Sequence, residues 1–347
     1  MNFEIIMHIT NLIVSTYVCK ILTEKFIVDK TLQPRIVSKI LKKPNRISIY
    51  NDINISKIEL KYKKYVTNFI KEIIKNFDSA DLTNFYNNVN KLDIKYNLKL
   101  KDNIGGRYLS LKDKIEIKDE YDKYIYHELF HMASSYFINN IDYSGFEQIK
   151  RPFVIGKGIN EGYTELLTNR YFPKEFSSSN SYYYAMKTMQ EIENLVDKNK
   201  MQSLYLNANL LGLIDELKKY NSEEQIMKFI TNMDFLINYL DYLRKKNTFI
   251  YKNAILKTLK EINIFLFDCY AEKLLTKSTF SYSETMNKIY DYIEKIPNAI
   301  EFTNYGFPEE YEYMTEDDIR NYILNIKKHV YQYYLNKNSK QENHKER

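Results

Sequence analysis

Two histidines four residues apart, His127 and His131, enclose Glu128 in the run Tyr126-His127-Glu128-Leu129-Phe130-His131-Met132-Ala133. The chain has five histidines, at positions 8, 127, 131, 329 and 344. From such a composition a His-Glu-x-x-His match arises by accident roughly once in two hundred sequences. On a helix, residues four apart share a face, so both imidazoles can reach one Zn²⁺. The glutamate, about 100° round the helix, can face a water on that metal. The chemistry this permits is metal-assisted hydrolysis.

A catalytic zinc takes a third protein ligand and keeps one position open, and the run Gly158-Ile159-Asn160-Glu161-Gly162-Tyr163-Thr164-Glu165-Leu166-Leu167 offers two carboxylates for it. Glu161 and Glu165 are again one helical turn apart and point the same way. One could bind the metal while the other accepts the second ring N–H of a ligand histidine, the usual support for a metal-bound imidazole. Taken singly, each is also an ordinary helix residue. Their joint occurrence is what favours a metal site.

His127-Glu128-x-x-His131 followed by Asn160-Glu161-x-x-Thr164-Glu165 resembles the gluzincin metallopeptidases of the thermolysin and aminopeptidase type. It is also similar to peptidase-like proteins of low-GC Gram-positive bacteria that carry H-E-L-x-H and G-L-N-E-G-x-T-E. The resemblance covers the stretch from roughly 120 to 171. It implies that His127, His131 and Glu161 are the zinc ligands, Glu128 the general base and Glu165 the partner behind a ligand histidine. Between His131 and Glu161 lie 29 residues, more than in the well-known gluzincins, and an insertion around Asp142 to Gly156 accounts for the excess.

The elements that must position these groups follow from the hydrophobic pattern. Ile125, Leu129, Met132 and Tyr136 recur at helical spacing and predict a half-buried helix with the histidines turned away from most of that stripe. Upstream, Tyr62, Val66, Phe69, Ile70, Ile73 and Phe77 predict an amphipathic helix, and Arg46 to Tyr50 a short strand. Leu92, Ile94, Tyr96, Leu98 and Leu100 then alternate, as do Leu109, Leu111, Ile115 and Ile117 around an Asp113-Lys114 turn. That is the signature of a small antiparallel sheet just before the zinc helix. An edge strand there can pair with an extended peptide, or the sheet can be purely structural. Six of the eight glycines fall between positions 105 and 162, concentrating backbone bends round the proposed site.

Beyond Pro173 helical periodicity dominates: 182 to 200, 202 to 220, 250 to 275 and 316 to 334, with a capping box at Ser222-Glu223-Glu224-Gln225 ahead of Ile226, Phe229, Ile230, Met233, Ile237 and Leu240. The expected fold class is α+β, predominantly helical, with a small antiparallel sheet beside a zincin active-site helix and a C-terminal helical lobe. The expected division is a catalytic lobe over 1–173, a helical lobe over 174–335 and a polar basic tail over 336–347.

The net charge of +6 comes from 51 Lys and Arg dispersed among 45 acids, with no basic cluster outside the tail, so no nucleic-acid partner is expected. Two cysteines, Cys19 and Cys269, are too few for a disulfide framework. Cys269 continues the row Ile255, Leu259, Ile262, Leu266 and reads as packing. Residues 3–22 are apolar but interrupted by Glu4, His8, Asn11 and Lys20, without a basic start or a small-residue cleavage site. They read as a buried helix in a cytoplasmic protein, with a membrane anchor as the alternative. No Gly-rich phosphate loop, G-x-S-x-G elbow or Cys–His motif competes with the metal site.

The function this pattern predicts is a zinc-dependent peptidase acting on peptide or protein substrates. The rival is a non-catalytic helical binding protein that retains a structural zinc. Candidates for an oxyanion-stabilising donor are Tyr163, Arg170, Tyr171, Tyr182 to Tyr184 and His329, and the sequence does not choose among them.

Overall fold

A computed structural model describes residues 53–77, 80–100, 104–118, 124–151, 153–173, 182–246 and 249–276, with 284, 287 and 288. The strand expected at Arg46–Tyr50, the helices expected at 3–22 and 316–334, the tail, Cys19 and the histidines at 8, 329 and 344 lie outside the described residues. The chain divides into two compact units. Among the described residues, one holds those up to Ile155 with Ser203–Leu211, the other Gly156–Gln202 with those from Gly212 onward.

In the first unit, α1 (Leu60–Asn76) buries Tyr62, Val66, Phe69, Ile70 and Ile73, one side of the predicted amphipathic pattern. Asp81 starts α2 (Thr83–Val89) by accepting from both the Thr83 amide at 2.9 Å and its hydroxyl at 2.6 Å. Phe69 of α1 meets Phe85 of α2 and stands edge-on to Phe130, ring centres 4.9 Å apart.

The strands β1 (Asp93–Tyr96), β2 (Gly106–Leu109) and β3 (Lys114–Ile117) form a sheet of order β1-β3-β2. The sheet is mixed, not wholly antiparallel. β2 and β3 form the expected hairpin, turning through a 3-10 segment at Ser110–Lys112 and a left-handed Asp113. β1, however, runs parallel to β3 on its other edge. Alternation reports which face a residue occupies and is blind to the direction of the neighbouring strand. The first alternating run also ends early, with Tyr96 and Leu98 exposed. Ile94, Ile115, Ile117 and Tyr108 face one way. The opposite face carries Glu116, where hydrogen bonds from Lys114, Arg107 and Asn97 hold the carboxyl down at about 2 despite its burial.

α3 (Ile125–Ala133) follows, and all nine of its residues are buried. This differs from the half-buried helix expected, because α3 packs against α1 and α2 as well as against β2 and β3. It also stops before Tyr136, which belongs to the next strand.

The stretch allowed for as an insertion is a second sheet, an antiparallel meander of β4 (Ser135–Ile138), β5 (Ile141–Ser144), β6 (Glu147–Lys150) and β7 (Phe153–Ile155). Asn139 and Asn140 both take positive φ, the requirement of a two-residue hairpin turn. Tyr136 stacks on Tyr143 at 4.6 Å, packing with Ile141 and Ala208.

The second unit is helical: α4 (Lys157–Tyr171), α5 (Tyr183–Val196), α6 (Lys198–Leu206), α7 (Leu210–Leu217), α8 (Glu223–Lys246) and α9 (Phe249–Thr276), with Ser203–Leu206 of α6 and the start of α7 grouped with the first unit. The single helix expected over 202–220 is broken between α6 and α7 at Ala208, which is left-handed. The Ser222 hydroxyl accepts from the Gln225 amide at 3.3 Å, as the capping box predicts. Ile226, Phe229, Ile230, Met233, Ile237 and Leu240 are all buried, and Phe229 stacks on Phe265 at 4.4 Å. Cys269 is a buried free thiol whose burial pushes it up to about 12, in keeping with a packing role. The fold class is therefore α+β and predominantly helical, and among the described residues no helix is long and apolar enough to cross a membrane.

Candidate metal centre

α3 is short, and its surroundings determine how its polar side chains sit. His127, Glu128 and His131 are buried with the rest of the helix. The two imidazoles converge, Nε2 to Nε2 at 3.0 Å, with ring centres 4.8 Å apart. Two nitrogens bound to one tetrahedral zinc stand roughly 3.3 Å apart, so the pair needs almost no adjustment to hold a cation. Without one, the same spacing is bridged by an N–H···N hydrogen bond whose direction depends on the tautomer.

Glu161 lies on α4. One ligand-type atom from each of His127, His131 and Glu161 can be chosen so that all lie within 4.8 Å of one another. Two nitrogens and one carboxylate oxygen suit zinc, and three protein donors leave a fourth position for water or substrate. Glu165 is buried one turn further along α4.

Comparison with protein-family profiles, with curated proteins and with solved structures returned no match.

Glu128 is held beside the start of β2. A Cβ placed on Gly106 would come within 3.1 Å of Glu128 Cγ and 3.3 Å of its Oε1, and within 2.7 Å of Ile117 Cδ1. Glycine is thus the residue that leaves room for this carboxylate. The helix end is tied by Asn88 of α2, whose amide nitrogen donates to the Met132 and Ser135 carbonyls, each at 2.7 Å. The Ser134 hydroxyl caps back to the Phe130 carbonyl at 3.0 Å. At the other end, the Tyr126 hydroxyl accepts from Asn68 at 3.1 Å.

On α4, two of the donors considered for oxyanion stabilisation are occupied. The buried Tyr163 hydroxyl donates to Glu193 Oε2 at 2.7 Å, and Arg170 donates to both Glu193 oxygens. Burial first, then the Glu193 charge, pushes the Tyr163 phenol well above its ordinary range. Tyr171 accepts from Gln202 at 2.6 Å. These groups tie α4 to the helices that follow it.

Four residues that support the site were not singled out by sequence reasoning: Asn88, Gly106, Glu193 and Asp234. Asp234 on α8 accepts from the backbone N–H groups of Gly156 and Gly158 at 2.9 and 2.7 Å. Only Gly106 left a trace in the sequence, through the concentration of glycines. Asparagines and acids on helices otherwise read as solvated surface.

Proposed function

We propose that this protein is a zinc-dependent metallopeptidase that hydrolyses peptide bonds in peptide or protein substrates. The observation that supports this best is the convergence of His127, His131 and Glu161 with Glu128 adjacent in sequence to the first of them. Bound there, zinc supplies Lewis acidity, bringing the pKa of a coordinated water from 15.7 down to about 7. Glu128 accepts the proton of the attacking water and delivers it to the departing amine, so each hydrolysis returns the carboxylate to its starting state. Burial of Glu128 keeps bulk water from competing for that proton. β2 is an edge of its sheet and reaches Glu128 at Gly106, which suits an extended peptide backbone aligned along that strand. Two cysteines, of which Cys269 is a buried thiol, suit a cytoplasmic location. Nucleic acid is not a partner in this reading, since the basic residues are dispersed.

The burial of every residue of α3 also favours a second reading, in which zinc serves only to hold the His127 helix in a non-catalytic protein. Elemental analysis of purified wild type beside Glu161→Ala and Glu165→Ala addresses the metal. About one zinc per chain is expected in wild type, lost more completely in the Glu161 variant. Glu128→Gln then separates enzyme from scaffold: it should keep the zinc and lose peptide cleavage. Cleavage undiminished in that variant removes Glu128 as the base, and no cleavage by zinc-loaded wild type across a peptide library favours the scaffold.

A further inference from the structure

We propose that Asp234 is a positioning residue for Glu161: its carboxylate anchors the first turn of α4 and thereby sets where the ligand stands along the helix axis. This rests on the zinc reading above.

α4 starts at Gly156, left-handed at φ 79°, and a glycine has no side chain with which to cap the turn. The exposed N–H groups of a helix start need acceptors. Those of Gly156 and Gly158 find them in Asp234, 78 and 76 residues further along the chain. A carboxylate there is also favoured by the helix dipole. The sides of α4 are constrained separately. A Cβ on Gly158 would lie 2.1 Å from the Met233 carbonyl oxygen, and one on Gly162 would lie 2.5 Å from that of Ala185. α4 is thus seated on the bare backbone of α8 and α5, and Asp234 supplies the restraint lengthwise. Glu161 is one turn beyond Gly158, so a shift of the first turn passes to it through an unbroken helix.

Burial raises the Asp234 carboxyl to about 7, against the pull of the Gly158 and Gly156 amides and of Lys157. On the helices packed against α8, Glu193 of α5 is paired with Arg170, and Glu261 of α9 with Lys228. The ionised carboxylate accepts more strongly than the neutral acid, so the two hydrogen bonds from Gly156 and Gly158 tighten as pH rises through neutrality, while the cost of burying the charge falls on the stability of the fold.

Zinc affinity of the full-length protein, measured by competition with a chromophoric chelator between about pH 6 and about pH 8, tests this. Asp234→Ala should weaken zinc binding by roughly 10- to 100-fold, and Asp234→Asn, which keeps one acceptor, by less. Wild-type affinity should also rise more steeply with pH than that of Asp234→Asn, because histidine deprotonation is common to both. Should the alanine variant not fold, the asparagine variant carries the test. A folded Asp234→Asn with wild-type affinity and an unchanged pH slope overturns the inference while leaving the zinc site standing. Wild type that binds no zinc overturns the zinc reading itself, and the inference with it.

Discussion

At the scale of single residues, the proposed chemistry depends on small spaces as much as on the proposed ligands. Gly106 has a strand conformation that any residue can adopt, so its selection is steric: a methyl group there collides with Ile117 and presses on Glu128. Gly106→Ala should therefore cost roughly 1 to 3 kcal/mol of stability. At a temperature where the variant remains folded, peptide cleavage should fall more than zinc content does, because the methyl group displaces the proposed base, Glu128, and not the histidines. Zinc analysis and a cleavage assay on the same preparation check this. Equal loss of both would mean that Gly106 serves the sheet alone.

Elements matter because the two helices that carry the proposed ligands are each held by partners remote in sequence. Asn88 ties the C-terminal end of α3 to β4, and Asp234 holds the start of α4. Asp234 also gives the fold a pH signature. Its carboxyl sits at about 7 in the folded protein and near 3.8 when unfolded, so between those values the folded state retains a proton that the unfolded chain has released. The associated stability is fully present below about pH 4 and is lost as pH rises toward about 7, by up to roughly 4 kcal/mol. Asp234→Asn removes the titration. Thermal midpoints followed from acid to neutral pH should fall in wild type relative to this variant, and parallel curves would show that the carboxylate does not hold a proton in the fold.

For the whole molecule, a ligand that binds only the folded chain raises its stability by mass action. With donors at 127, 131 and 161, zinc is expected to bind the folded protein far better than the unfolded one. A free zinc concentration 100 times the dissociation constant should add about 2.7 kcal/mol, seen as a rising thermal midpoint. His131→Ala should be indifferent to zinc over the same range. A wild-type midpoint that does not move with zinc would place the metal outside the folded site.

Much of this organisation was legible in the sequence. Helical periodicity depends on neighbours three and four residues apart, and α1, α8 and α9 accordingly bury the rows that the pattern marks. The proposed donors were legible for a related reason: His127 and His131 are one turn apart on one helix, and Glu161 follows in a second run of helical spacing. What local pattern could not supply was direction and depth. Parallel pairing of β1 with β3 is decided by the path of the chain between them, and alternation is identical for either direction. Complete burial of α3 follows from packing on two sides, where the pattern marks only one stripe. The β4–β7 meander was hidden by short strands, its clearest signal being Asn139-Asn140. Asn88 and Asp234 became visible only in three dimensions. Their partners are backbone groups dozens of residues away, and a backbone amide leaves no mark in a sequence to say which side chain it will meet.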